Sequence, residues 1–185
     1  ALQLAEPIAY AIDTIKSALS QESVFEPATS TRSFTIAATD IGEIYFLPPL
    51  LNRLADRNMR EGGGGPFAAL VRDPASGEIV TAGVNRVLAS GLSSMHAEVT
   101  TLSLAQARRG TWDLGAAGAA PLELWVNARP CVMCYGATMW SGVKRLVIAV
   151  DGPEVEELTG FDEGPMPEDW IGRFAERGIE VETGV

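Results

Sequence analysis

The order of apolar runs along this chain predicts an α/β fold, a sheet with helices on both faces. Three observations carry that prediction. Two β-like runs, 67–72 and 79–84, flank Asp73-Pro74-Ala75-Ser76-Gly77-Glu78, the turn chemistry of a hairpin. Beyond it, helix-like and strand-like segments alternate to the end of the chain. The segment 143–150 (VKRLVIAV) is a mainly apolar run of the kind a strand buried on both faces shows.

Each element has its own local reason. Ala5, Ile8, Ile12, Ile15 and Leu19 recur every three or four residues, so the N-terminus reads as an amphipathic helix, packed on its own domain or on a second copy. The polar stretch 21–31, with Pro27, reads as a linker, and 33–38 (SFTIAA) as a strand. Pro48 and Pro49 lead into a helix over 50–57 that begins with proline near its first turn. The glycine run 62–65 stops this helix. It lacks the G-x-x-x-x-G-K-[ST] pattern of a phosphate-binding loop, so a stop and turn is the reading.

After the hairpin, a loop over 85–95 delivers the chain to His96. A helix over 97–108 follows, with Val99, Leu102 and Leu104 as its apolar positions. Then come a strand at 121–127, a helix at 131–140 and the strand at 143–150. An acidic loop spans 151–167, with room for a short helix at 154–158. A helix at 168–177 and a last strand at 178–182 complete the series.

Composition narrows the function classes. The chain has 185 residues, room for one ordinary domain with an appendage, and 46% hydrophobic residues, enough for a core. Its net charge of −10 disfavours a nucleic-acid partner, whose phosphates need clustered Lys and Arg. Glu6, Pro7, Asp13 and Lys16 interrupt the first segment, which is neither a signal peptide nor a membrane span. A cytoplasmic protein without membrane partners is the expectation. The two cysteines share one C-x-x-C, which reads as metal-binding or redox-active rather than as a disulfide framework.

The chemistry concentrates in two short patches. His96 is the single histidine and stands two residues before Glu98; Cys131 and Cys134 lie in Pro130-Cys131-Val132-Met133-Cys134. Pro130 suits the first position of a helix, which sets both thiols on one face of its first turn. The helix dipole there favours thiolate. His96, Cys131 and Cys134 supply the three protein ligands of a catalytic Zn2+ site, whose fourth position holds a water with a pKa near 7. Glu98 can accept that water's proton and pass it to a leaving group, a capacity for which a structural zinc site has no use. A buried core histidine and a redox C-x-x-C pair are the plainer readings of the separate patches. Joined as H-A-E, about thirty residues, then P-C-x-x-C, they match the zinc deaminase signature.

From about Leu51 onward the chain resembles the cytidine deaminase-like superfamily, and within it the small bacterial guanine deaminases. The stretches that carry this are Gly62-Gly63-Gly64-Gly65-Pro66-Phe67, Gly83-Val84-Asn85-Arg86-Val87, the two patches above and Trp140-Ser141-Gly142-Val143. Gly160-Phe161-Asp162-Glu163-Gly164-Pro165 is narrower and resembles a subgroup that also accepts aminotriazines such as ammeline. The resemblance implies a three-layer α/β/α fold with a five-stranded central sheet, and a homodimer. It implies Zn2+ on His96, Cys131 and Cys134, and proton shuttling by Glu98, assisted by Glu163. Asn85, Phe67, Ala97 and Asp162 would contact the substrate base. The chain departs from the family at Arg129, where Glu commonly precedes Pro-Cys, and at Ser94-Met95, where Pro-Thr-Ala usually precedes the histidine.

Residues 1–50 resemble something else. Phe25-Glu26-Pro27-Ala28-Thr29-Ser30-Thr31-Arg32 and the run from Asp40 to Leu51 are similar to the linker helix and first effector-domain elements of LysR-type transcription regulators. The chain therefore reads as a fusion: an N-terminal helix–strand extension at 1–50, joined inside a helix to a deaminase domain at 51–185. The implied activity is hydrolytic deamination of a free nucleobase, guanine foremost. Two alternatives stay open: deamination of tRNA adenosine or of a cytosine-type base, and a non-enzymatic sensor that only binds a base.

Overall fold

A computed structural model describes residues 40–151 and 154–185. The expected N-terminal helix, linker and strand at 33–38 lie outside the described residues. Helix α1 (Asp40–Arg60) leads into the hairpin β1 (Ala68–Arg72) and β2 (Ile79–Val84). Then follow α2 (Val87–Ser90), α3 (Ala97–Arg109), β3 (Glu123–Ala128), α4 (Val132–Ser141), β4 (Arg145–Val150), α5 (Glu154–Thr159), α6 (Trp170–Ala175) and β5 (Glu180–Thr183). The strands form one mixed sheet in the order β2-β1-β3-β4-β5. β1 runs antiparallel to β2 and β3, while β3, β4 and β5 are parallel.

The period-two alternation of the strands divides the core into two layers. Ala69, Val71, Leu124, Val126, Leu146 and Ile148 face one cluster, which includes Leu102 and Ala105 of α3 and Phe174 of α6. Ala68, Leu70, Trp125 and Val147 face the other, with Leu47, Leu51 and Ala55 of α1. Both faces of the sheet are thus covered by helix, as the near-continuous apolar strands require. No helix among the described residues is long and apolar enough to cross a membrane.

Several local expectations are corrected. The helix expected at 50–57 begins instead at Asp40 and passes through Pro48 and Pro49. Each proline removes one backbone donor from the helix. The seam of Leu47, Leu51 and Ala55, spaced by four, buries against the sheet and holds the helix regardless. Helix α3 does not pack through Leu104, which is 48% exposed. Its buried face is Ala97, Thr101, Leu102 and Ala105. Small residues let the helix lie close on the sheet, where the Thr101 hydroxyl, bonded to the Ala97 carbonyl at 2.7 Å, also approaches the Ala69 carbonyl of β1 at 3.3 Å. The loop expected at 85–95 contains the short α2. Pro130 lies outside α4: Cys131 is the N-cap, not the second helical residue.

One buried charge is neutralised within the sheet. Glu123 at the start of β3 accepts from Arg72 at 3.2 Å, from Arg145 at 2.8 Å and from the Trp125 indole at 3.0 Å. Arg145 also pairs with Glu182 on β5, so side chains from four adjacent strands meet at one edge of the layer.

Candidate active site

The parallel pair β3 and β4 places two chain exits side by side at the carboxyl ends of the strands, where open α/β sheets form their crevices. β3 runs out through Arg129 and Pro130 into α4. β4 runs out toward α5 and the segment that carries Glu163. The amide of Arg129 donates to the carbonyl of Val150 at 2.9 Å, which ties the two exits together. A cavity of about 670 Å³ opens there.

His96 and Cys131 occupy equivalent positions in α3 and α4. Each is the N-cap, with extended backbone (ψ of 161° and 170°), and neither side chain caps its own helix. A Ser or Asp at these positions would hydrogen-bond back to the first turn; the imidazole and thiol are instead free to face each other. The Cys131 Sγ lies 3.5 Å from His96 Nδ1, and the donor atoms of His96, Cys131 and Cys134 all fall within 4.8 Å of one another. A tetrahedral Zn2+ with S and N ligands has ligand–ligand edges of about 3.5–3.8 Å. The three donors fit such a site in kind, and the Cys131–His96 pair also in spacing.

The two thiols differ in their electrostatics. The hydrogen bond from Cys134 lowers the Cys131 pKa to about 5, aided by nearby His96, and the shared proton and burial push Cys134 well up. The bare pair therefore carries one thiolate readily and resists a second; a bound metal stabilises both. Glu98, in the first turn of α3, is buried beside these groups, and burial raises its carboxyl above the usual range. Burial, with the negative charges of Cys131 and Glu98 nearby, raises Glu163 to about 7.

Glu163 reaches the site through the backbone. The Val132 amide, at the start of α4, donates to the Glu163 carbonyl at 2.9 Å, and Asp162 Oδ1 accepts from the Gly164 amide at 2.8 Å. Gly164 has φ +77°, and a Cβ there would lie 2.6 Å from Val132 Cγ1, so this turn requires glycine.

Asn85 is buried and held by three partners; its backbone amide donates to the Phe67 carbonyl at 3.0 Å. Its carbonyl accepts from Asn58 Nδ2 at 2.7 Å, and its Oδ1 accepts from the Val87 amide at 3.1 Å, which leaves the amide NH2 for the cavity. Gly64 makes this possible: a Cβ there would lie 2.2 Å from Asn85 Oδ1. The glycine run thus does more than stop α1. Its backbone packs against the asparagine.

The cavity brings together His96, Glu98, Cys131, Asn85, Phe67, Asp162 and Glu163 from the sequence-based candidates. Cys134 sits behind them, fully buried. The side chain of Ala97 packs in the core under α3 and does not line the cavity. Sequence reasoning missed Phe161 and Arg129 as cavity residues. Phe161 lies 5.9 Å, ring to ring, from Phe67, and the Gly-Phe-Asp-Glu-Gly motif was the available signal. For Arg129 the signal was its departure from the Glu common before Pro-Cys.

The chain is similar to known proteins in sequence and in fold. The model of the cytidine and deoxycytidylate deaminase zinc-binding region matches residues 49–150. The chain belongs to this deaminase family. Among solved structures, a guanine deaminase from Nitrosomonas europaea is 43% identical, with a TM-score of 0.73 over 81% of this chain and 79% of that one. The guanine deaminase of Bacillus subtilis is 35% identical over 111 residues, 60% of this chain and 65% of its own length. The chain is also similar to the HTH-type transcriptional activator NagR of a Ralstonia species, 54% identical over 57 residues, which are 31% of this chain and 19% of the regulator. The chain therefore spans less than two thirds of the length of these curated relatives. Its five-stranded mixed sheet and helical layers are those of the family, as the sequence predicted.

Proposed function

We propose that the protein is a zinc-dependent deaminase that hydrolyses guanine to xanthine and ammonia, with aminotriazines such as ammeline as further substrates. The observation that carries this reading is Glu98, buried in a cavity beside three grouped soft donors. Guanine deaminases among the relatives supply the base, and the narrow motif around Glu163 supports the triazines.

His96, Cys131 and Cys134 would hold Zn2+, which when bound supplies a Lewis acid that brings a water within reach of deprotonation near neutral pH. Glu98 takes the water's proton and returns it to the ring nitrogen next to the amino-bearing carbon. Its raised pKa suits both directions of transfer. Glu163 assists in carrying a proton to the departing ammonia. Asn85 offers its amide NH2 to an acceptor on the base, Phe67 packs on the ring, and Asp162 receives the amino group. One water is consumed and one ammonia released per base.

We further read residues 1–50 as a regulator-like extension and 51–185 as the deaminase domain, with α1 running across the boundary. The working form is a cytoplasmic homodimer.

An ammonia-release screen over guanine, ammeline, guanosine, cytosine, cytidine and adenine tests the proposal. Turnover of guanine with stoichiometric zinc is the expected result. Inosine formation in a tRNA anticodon stem-loop without guanine turnover would overturn it in favour of tRNA deamination. Zinc and tight base binding without ammonia would overturn it in favour of a sensor.

A further inference from the structure

Arg129 is mounted rigidly. Its amide is fixed to Val150 and Pro130 follows it, so the backbone at this point has little freedom. Its side chain lines the cavity; its Nε is closed off from solvent without a hydrogen-bond partner, so the terminal Nη groups are the donors a ligand in the cavity can reach. A guanidinium carries five donors, no acceptor and a permanent charge. A buried donor left unpaired is costly and rare in folded proteins. Three carboxylates, Glu98, Asp162 and Glu163, share the cavity, yet Arg129 forms an ion pair with none of them. One oxygen of Asp162 is already taken by the Gly164 amide.

An amino-oxo heterocycle presents two kinds of edge. Its amino group donates and is matched by the carboxylates. Its oxo oxygen accepts and needs a donor. We propose that Arg129 is the specificity residue that reads the oxo-bearing edge of the substrate, so that the site selects amino-oxo heterocycles over amino heterocycles of the same shape that lack the oxygen. This rests on the deaminase reading above and deepens it. The reversal of charge from the Glu common at this position turns this part of the wall from an acceptor into a donor.

The zinc-loaded protein is assayed with guanine and 2-aminopurine, which differ by the 6-oxo group. Arg129→Gln and Arg129→Ala lower the guanine to 2-aminopurine ratio of kcat/KM by about tenfold to a hundredfold, as loss of a charge-assisted hydrogen bond predicts. Arg129→Lys recovers part of it. An unchanged ratio overturns the proposal. Calorimetric binding gives a second reading that needs no turnover: the wild-type holoenzyme binds hypoxanthine at least tenfold more tightly than 6-methylpurine, and Arg129→Gln loses most of that preference. Equal affinity overturns the role of Arg129. Selective binding without any ammonia release from guanine instead refutes the deaminase reading and leaves that role standing.

Discussion

The Val132 amide donates to the Glu163 carbonyl at 2.9 Å, and this one bond joins the first turn of the cysteine-bearing helix to the acidic segment after β4. Residues more than thirty apart in sequence are thereby held in one wall of the cavity. Gly164 enforces the contact, because any side chain there meets Val132. Gly164→Ala should displace Glu163 and lower kcat by up to about 10²-fold, the scale of a misplacement near 1 Å. Zinc content should stay at wild-type level. Adding Val132→Ala removes the clash but not the strain of φ +77°, so steady-state kinetics should register partial recovery.

Glu98→Gln keeps the size of the side chain and removes the base. Ammonia release should fall by about 10²–10⁴-fold, the usual contribution of a proton-transfer group. Atomic absorption should still find one zinc per chain. Full activity in this variant would sink the mechanism.

Metal removal should loosen as well as inactivate the protein, since His96 and the two cysteines belong to different helices. Dialysis against a chelator should abolish ammonia release and lower Tm, and added Zn2+ should restore both. At a ligand concentration of about 1,000 Kd the linkage amounts to about 4 kcal/mol. Cys134→Ala should lose activity and the zinc-dependent part of Tm together.

Asn58 acts at one remove. It donates to the Asn85 carbonyl at 2.7 Å without itself lining the cavity. Asn58→Ala should raise KM for guanine several-fold with a smaller change in kcat, because Asn85 is misaligned rather than removed. Gly64→Ala should act in the same direction and more strongly. An equal fall in kcat alone for both variants would count against Asn85 as a binding residue.

Away from the site, Glu123 neutralises buried Arg72 and half-buried Arg145. Glu123→Ala leaves a buried guanidinium without this carboxylate, and urea unfolding should report a loss of about 3–5 kcal/mol. Ammonia release by the remaining folded protein should be unaffected.

The cavity residues divide by how they could be recognised. His96, Glu98, Cys131 and Cys134 were readable because soft donors are scarce in this chain and their spacing is local to two helix starts. The hairpin was readable because Asp73 builds its turn within a few residues, accepting from the Ala75 amide at 2.9 Å. Helix α1 was misjudged because Pro48 and Pro49 argue locally against a continuous helix, while Leu47, Leu51 and Ala55 win through burial against a sheet formed much later in the chain. Leu104 was misjudged for the same reason: hydrophobicity alone did not tell which side of α3 meets the strands.

Local chemistry thus defined the alternation of elements, the donor set and the acid beside it, since each depends on neighbours within a turn of helix or a hairpin. The shape of the cavity depends on contacts between distant segments. Parallel pairing of β3 and β4 brings Arg129 and the Glu163 segment to one edge, Gly64 closes on Asn85, and Phe161 comes against Phe67. No spacing rule encodes these approaches. They follow from burying both faces of one sheet, which sets the loops at its carboxyl ends around a common space.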